Sequence, residues 1–243
     1  AATLLIGLFV LDELSYDRYN SKIDRTYRIT REFLNNDGAV VGSFSAIAPA
    51  FGPALENDFG QIEAMTRTFS VLDFDMAVEE NGERSRTAHE ENVFLAEPDV
   101  FRIFDIPVLS GNPAKDLERP FTVMLSEKTA QKYFSNTDVI GKRLKAIASM
   151  KLTVTDNYDL EVIGVYKDFP AQSHWHPDFL VAFSTLYDST IFGRYHLESY
   201  GDNAFNTYIL LDAGADPEQI EAAMPAFLDK HVGNYARTHW GAQ

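Results

Sequence analysis

FTVMLSEKTAQKYFSNTDVIGKRL, residues 121–144, and YDLEVIGVYKDFPAQSHWHPDFLVAF, residues 158–183, are the two halves of the stretch around which this chain is built. In the first half Phe121, Val123 and Leu125 alternate with Thr122 and Met124, which predicts a short strand with one apolar face. Ser126 stands at the N-cap of a following helix, with Glu127 near the positive end of its dipole. Ala130, Tyr133 and Phe134 supply the buried side of that helix, and Asp138 and Gly141 mark a turn. Leu160 to Val165 reads as a returning strand, stopped by Asp168 and Pro170. The stretch holds no nucleophile motif, phosphate loop or cofactor fingerprint. It is a packing unit, which argues against catalysis.

Toward the N-terminus, Ile62 to Val71 is a strand preceded by a helix over Ala46–Phe59, in which Ile47, Phe51 and Leu55 recur every four residues. Pro49 and Pro53 fit only a first turn, so the regular helix starts late. Thr26 to Phe33 reads as one strand, Asn35 to Gly38 as a hairpin turn, and Val40 to Phe44 as the returning strand. From Leu72 to about Ile106, short strands joined by turns suggest a β-rich meander. Toward the C-terminus, Phe179 to Phe183 and Asn206 to Leu211 are strands. Asp216-Pro217-Glu218-Gln219 then opens a helix whose buried stripe is Ile220, Ala223, Met224, Phe227 and Leu228. Pro225 should kink or restart that helix, and 231–243 shows no period.

These elements give an α+β chain. A discontinuous α/β lobe, residues 19–71 and 176–243, flanks an inserted β-rich lobe over residues 72–175. The chain has 243 residues, 45% hydrophobic, enough for a substantial core. With 36 acidic against 21 basic residues the net charge is -15, which repels a phosphate backbone and excludes general nucleic-acid binding. There is no cysteine, hence no disulfide, thiolate metal site or cysteine nucleophile. The chain opens AATLLIGLFVL, an apolar run far short of the about 20 residues that cross a bilayer. It reads either as a buried helix or as the outer end of a truncated transmembrane helix.

Few residues suggest chemistry. In an extended strand His174, His176 and Asp178 would share a face and could converge on a metal. Without a more distant ligand they read as loop groups that hydrogen-bond locally, and no metal or cofactor is expected. His89-Glu90-Glu91 reads as a solvated turn, and Ser126 as a cap. Tyr187, Phe192, Tyr195 and Tyr200 are candidates for lining a groove for peptide or lipid, against the plainer reading that they pack on the α/β layer.

Five segments in order carry a family likeness: ELSYDRYNSKIDRTYRI (13–29), APAFGPALENDF (48–59), VMLSEKTAQKYFSNTDVIGKRL (123–144), LEVIGVYKDFPAQSHWHPDFLVAF (160–183) and NTYILLDAGADPEQIEAAMPAFLDKHVG (206–233). Together they resemble the extracytoplasmic (periplasmic core) domain of MacB/FtsX-type ABC transporter permeases, in the version common in Bacteroidetes-like bacteria. The resemblance implies a porter-like lobe with an inserted sabre-like lobe, standing in the periplasm and anchored in the bacterial inner membrane. TLLIGLFVL becomes the outer end of a transmembrane helix. Residues 1–18 then form its end and junction, with Asp12, Glu13, Tyr16, Asp17 and Arg18 as the stiff link. The implied partners are a second permease copy, a cytoplasmic ATP-binding subunit or domain, and a periplasmic adaptor or other envelope partner. The implied function is mechanical coupling of ATP hydrolysis to export or envelope remodelling, with no catalysis in this chain. The alternatives are a soluble envelope module binding peptide or lipid, which requires an apolar cleft, and a metal-dependent hydrolase around His174 and His176, which requires bound metal.

Overall fold

The structure is a computed structural model that describes residues 15–35, 37–71, 74–80, 83–148 and 157–240. The apolar run at residues 1–11, with Asp12 and Glu13, lies outside the described residues, as do Asn81 and Gly82 of an expected turn. In chain order the elements are β1 (Thr26–Ile29), β2 (Arg31–Leu34), β3 (Val40–Phe44), α1 (Phe51–Asp58), β4 (Ile62–Val71), β5 (Phe74–Glu80), β6 (Glu83–Glu90) and β7 (Val93–Ala96). They continue with α2 (Val100–Ile103), β8 (Val108–Gly111), α3 (Pro113–Asp116), β9 (Thr122–Ser126), α4 (Glu127–Phe134), β10 (Arg143–Ala148) and β11 (Asn157–Tyr166). β12 (Phe179–Ala182), α5 (Arg194–Leu197), β13 (Asn206–Leu211) and α6 (Pro217–Trp240) complete the series.

A large mixed sheet organises the α+β fold. Its strand order is β1-β13-β4-β7-β12-β9-β11-β10-β5-β6, with β8 added on β11. β9 runs parallel to β11, and β7 parallel to β12; the other pairs are antiparallel. All residues of β9 are buried. The alternation in Phe121–Leu125 predicts one apolar face, but the strand sits at the centre of the sheet with both faces covered. Val123 and Leu125 point into a core shared with Ala130 and Tyr133 of α4. Met124 points to the other face, toward Leu180, Trp175 and Phe104. The helix α4 begins as its residues dictate, with Ser126 Oγ accepting from the Thr129 amide at 3.3 Å.

β11 carries a register shift between Val162 and Gly164 against β9. The extra residue reverses the parity of the strand, so Val162 and Val165 share one core while Ile163 and Tyr166 join the other. Gly164 is needed here because a Cβ would lie 2.3 Å from the Ser110 carbonyl oxygen of β8.

Several expectations are corrected. The strand read over Thr26–Phe33 is two strands, since the chain leaves the main sheet after Ile29 and β2 pairs only with β3. There Arg31 turns inward, its guanidinium 4.5 Å from the Phe33 ring and 5.4 Å from the Phe51 ring, while Nη1 donates to the Tyr200 carbonyl at 3.2 Å. The helix over Ala46–Phe59 begins at Phe51, past Pro49, with Ile47 bridging Phe205. The β-rich segment is not a meander. β5 and β6 pair as a hairpin, but β7 inserts between β4 and β12, where its apolar residues are covered. The C-terminal helix runs through Pro225 to Trp240. Its inner stripe is Ile220, Met224, Phe227 and His231 at intervals of four, three and four, and Leu228, one residue off that line, is 41% exposed. Burial of Phe227 and Val232 and the ion pair of Lys230 with Asp58 carry the helix past the missing proline hydrogen bond.

Candidate functional site

Ser15 to Arg25 has little regular structure of its own, and long-range side-chain bonds fasten it to the sheet. Asp17 adopts a left-handed backbone, φ 58°, which an aspartate tolerates better than most residues. Its amide donates to the Gln172 carbonyl at 2.8 Å. Its carboxylate receives the His174 amide at 3.1 Å on one oxygen and meets the His174 ring Nδ1 at 2.9 Å on the other. His174 Nε2 then meets the Tyr208 hydroxyl of β13 at 3.0 Å. Asp17 and His174 are 157 residues apart, so this clasp joins the start of the described chain to the loop before β12.

The clasp continues along the segment. Tyr19 packs edge-on against Phe169, and its hydroxyl lies 3.3 Å from Ser173 Oγ. Burial pushes the Tyr19 hydroxyl up to about 12, against the opposing effect of Ser173. The Ser21 amide donates to Asp105 Oδ2 at 2.6 Å, and Lys22 pairs with the other oxygen of that carboxylate. Burial works against ionisation of Asp105, but Lys22 and Ser21 outweigh it and hold the group below its ordinary value. Arg25 pairs with Glu63 of β4 and donates to the Leu211 carbonyl at 2.6 Å. The Arg25 hydrogen bond is also the leading reason that Glu63 is lowered.

Where the segment crosses β1 and β13 it leaves a cleft of about 290 Å³, lined by Asp17, Ile23, Arg28, Phe104, His174 and Tyr208. Arg28 lies directly opposite Tyr208 in the β1–β13 register, so both side chains leave one face of the sheet. Burial raises the Tyr208 hydroxyl, and Arg28 partly offsets that rise. The Phe104 and Tyr208 rings meet edge to face at 5.1 Å and form an aromatic wall.

This arrangement is a bonded clasp between an N-terminal segment and the body of the domain, with a small polar cleft inside it. The family model for MacB-like periplasmic core domains matches residues 1–227. The chain belongs to this family. MacB-like domains of this kind are periplasmic parts of ABC transporter permeases. The chain is similar to a domain attributed to a permease protein from Porphyromonas gingivalis, at 24% identity, TM-score 0.70, 87% of this chain and 83% of that one. It is also similar to the periplasmic region of MacB from Actinobacillus actinomycetemcomitans, at 15% identity, TM-score 0.55, 90% of this chain and 88% of that one. Both likenesses are of fold. No curated protein sequence matches the chain. Among the described residues, no helix is long and apolar enough to cross a membrane.

The other residues singled out in the sequence are dispersed over this MacB-like domain. Of the junction residues, Asp17 is the centre of the clasp, while Tyr16 is 42% exposed and Arg18 is exposed. His174, His176 and Asp178 do not converge, because residues 174–178 lie ahead of β12 and form no strand. His174 turns to Asp17, His176 is exposed, and Asp178 meets Lys128 Nζ at 2.8 Å. Among the described residues, no group of three His, Cys, Asp or Glu side chains could hold a metal ion. His89 faces Asp75 at 3.1 Å, whereas Glu90 turns inward to Lys132 and Tyr133.

The aromatic candidates share no groove. Phe192 packs on Phe69 and Phe205 in one core, and Tyr200 packs on Phe51 in another, its hydroxyl 3.2 Å from His231 Nδ1. Tyr187 receives a hydrogen bond from Arg67 at 3.3 Å, and Tyr195 is 85% exposed. Sequence reading missed Gln172, Ser173, Asp105 and Tyr208 as partners of the junction. Their one signal is polarity beside buried positions, which names no partner.

Proposed function

We propose that this domain passes nucleotide-driven movement of membrane helices to the outer side of the membrane, performs no catalysis itself, and acts with a second permease copy and an ATP-binding subunit. An adaptor or other envelope partner would receive the motion. One observation carries this reading: the segment that follows the apolar run is riveted to loops at Gln172, His174 and Asp105 and to the sheet at Glu63 and Leu211. A pull or twist arriving at Asp17 therefore loads the loop before β12, β4 and β13 together and is not absorbed in a slack linker. Interlocking contacts of this kind move as one body, as mechanical transmission needs. The C-terminal helix is held too. Asp58 at the end of α1 accepts from Lys230 at 2.7 Å and meets His231 Nε2 at 2.8 Å, which ties α6 to α1.

The test uses the intact permease with its ATP-binding partner. A spin label on a cysteine at the exposed Tyr195 position reports the distance between two copies. The distance distribution is expected to shift between ATP-trapped and nucleotide-free states, and to stop shifting when the ATP-binding partner is altered so that it cannot bind ATP. An identical distribution in all states rejects the mechanical reading.

A further inference from the structure

The cleft is lined by two opposite charges, Asp17 and Arg28, between which no ion pair forms among the described residues. Asp17 uses its carboxylate on the His174 amide and ring, two of about four lone-pair positions, so it can still accept a hydrogen bond. Arg28 faces the Tyr208 hydroxyl and has no carboxylate partner among the described residues. Phe104 and Tyr208 give the same cleft an aromatic wall, and Ile23 gives an apolar surface that is 39% exposed. A matching guest has an anionic group for Arg28 and an N–H-bearing cation for Asp17.

Size and charge narrow the guest further. The volume of about 290 Å³ is at the small end for a ligand site, too small for an acyl chain or a folded peptide segment. The chain carries a net charge of -15, so a purely anionic guest is repelled on approach, whereas a zwitterion is not. Position supplies the last constraint. Asp17 follows the apolar run ending at Leu11 by six residues, at most about 20 Å of extended chain.

We propose that this cleft binds a zwitterionic phosphodiester bearing a primary ammonium, with the phosphate on Arg28 and the ammonium on Asp17, as in the head group of an ethanolamine phospholipid. The chemistry of the guest stands on the cleft alone. Its source in the membrane rests on the reading above, in which the apolar run enters the bilayer. A bound head group spans from β1 to the junction and stiffens the joint, so the lipid becomes part of the mechanical connection.

Two arms test this. In the first, the 243-residue chain is titrated with sn-glycero-3-phosphoethanolamine and followed by amide chemical shifts. Saturable shifts are expected at Asp17, Arg28 and Tyr208. The phosphocholine counterpart should bind more weakly, because its trimethylated nitrogen offers Asp17 no N–H. Arg28→Gln should weaken binding by about tenfold or more, the size of one lost charge-assisted hydrogen bond, and Arg28→Lys should recover part of it. Arg28 is exposed on an edge strand, so these variants keep the fold. Absence of saturable shifts, or equal binding of glycerophosphate alone, overturns the proposal. In the second arm, the full permease in nanodiscs containing ethanolamine phospholipid should show slower amide exchange over 17–25 than in choline-only nanodiscs, with no difference in Arg28→Gln. Equal exchange in both lipids overturns the membrane source. The first arm involves no membrane, so its outcome is independent of the mechanical reading.

Discussion

Replacing Asp17 tests whether the joint is held by side-chain chemistry. In Asp17→Gly the backbone keeps its φ of 58° without penalty, but both bonds to His174 are lost. Hydrogen bonds to a charged acceptor contribute about 1.5 kcal/mol or more each when buried, and partial exposure of both partners reduces the pair to about 2 kcal/mol in total. The segment lies at the edge of the molecule, so its loss appears as local opening and leaves the global unfolding midpoint nearly unchanged. Native-state hydrogen exchange reads this directly. The Asp17 amide, bonded to Gln172, and the Asn20 amide, bonded to Asp17, should exchange about 30-fold faster, while amides of β9 keep their rates. Asp17→Ala loses the same bonds but, unlike glycine, keeps a β-carbon in the left-handed region, so it should be about 1–2 kcal/mol worse than Asp17→Gly, or about another 5- to 30-fold. Equal exchange in wild type and Asp17→Gly would refute the clasp. Equal exchange in the glycine and alanine variants would refute the backbone part of the argument.

Other perturbations probe the sheet and the C-terminal helix. Arg67 is buried in β4, its side chain 3% exposed, with Glu97 Oε1 at 2.5 Å; Glu97→Ala should cost about 3–5 kcal/mol in urea unfolding because it strands a buried charge. Gly164→Ala puts a Cβ 2.3 Å from the Ser110 carbonyl and 2.7 Å from Met124 Sδ, and should lower stability by about 3 kcal/mol with loss of β8 amide protection. The hydrogen bond from Lys230, followed by that of His231, lowers the Asp58 carboxyl well below its ordinary value. A lowered carboxylate contributes stability above its unfolded value of about 3.9 and loses it as pH falls through the folded value. Amide protection in α6 should therefore persist below pH about 3.9 in wild type and be weaker throughout in Asp58→Asn. Tyr19, raised mainly by burial to about 12, contributes stability that is full below its unfolded value of about 10 and is lost as pH rises toward 12. Tyrosinate absorbance should show a transition near 12 that falls toward 10 in a variant lacking the Phe169 ring, Phe169→Ala.

Local reading succeeded where a residue's role is settled by its immediate neighbours. The Ser126 cap, the proline-started helix at Pro217 and the hairpin turn closed by Gly38 at φ 77° follow from dihedral limits and from amides that need an acceptor nearby. It failed where the outcome depends on what lies across the sheet. Nothing in VFLA at 93–96 says that β7 leaves its neighbours to run between β4 and β12. Nothing in VMLS at 123–126 distinguishes a strand covered on one face from one covered on both.

The candidate site divides along the same line. The family resemblance singles out Asp17 as part of an expected junction, and the i, i+2, i+4 spacing of His174, His176 and Asp178 singles out His174, because both readings need only the order of nearby residues. Their meeting at 2.9 Å, with Tyr208 as the third member, is fixed by contacts that span 157 and 34 residues. Such contacts form only when the sheet order brings β1 beside β13 and the loop before β12 beneath the segment. A hydrogen-bonding side chain specifies the kind of partner it needs and its distance, while the packing of the whole chain selects which partner arrives.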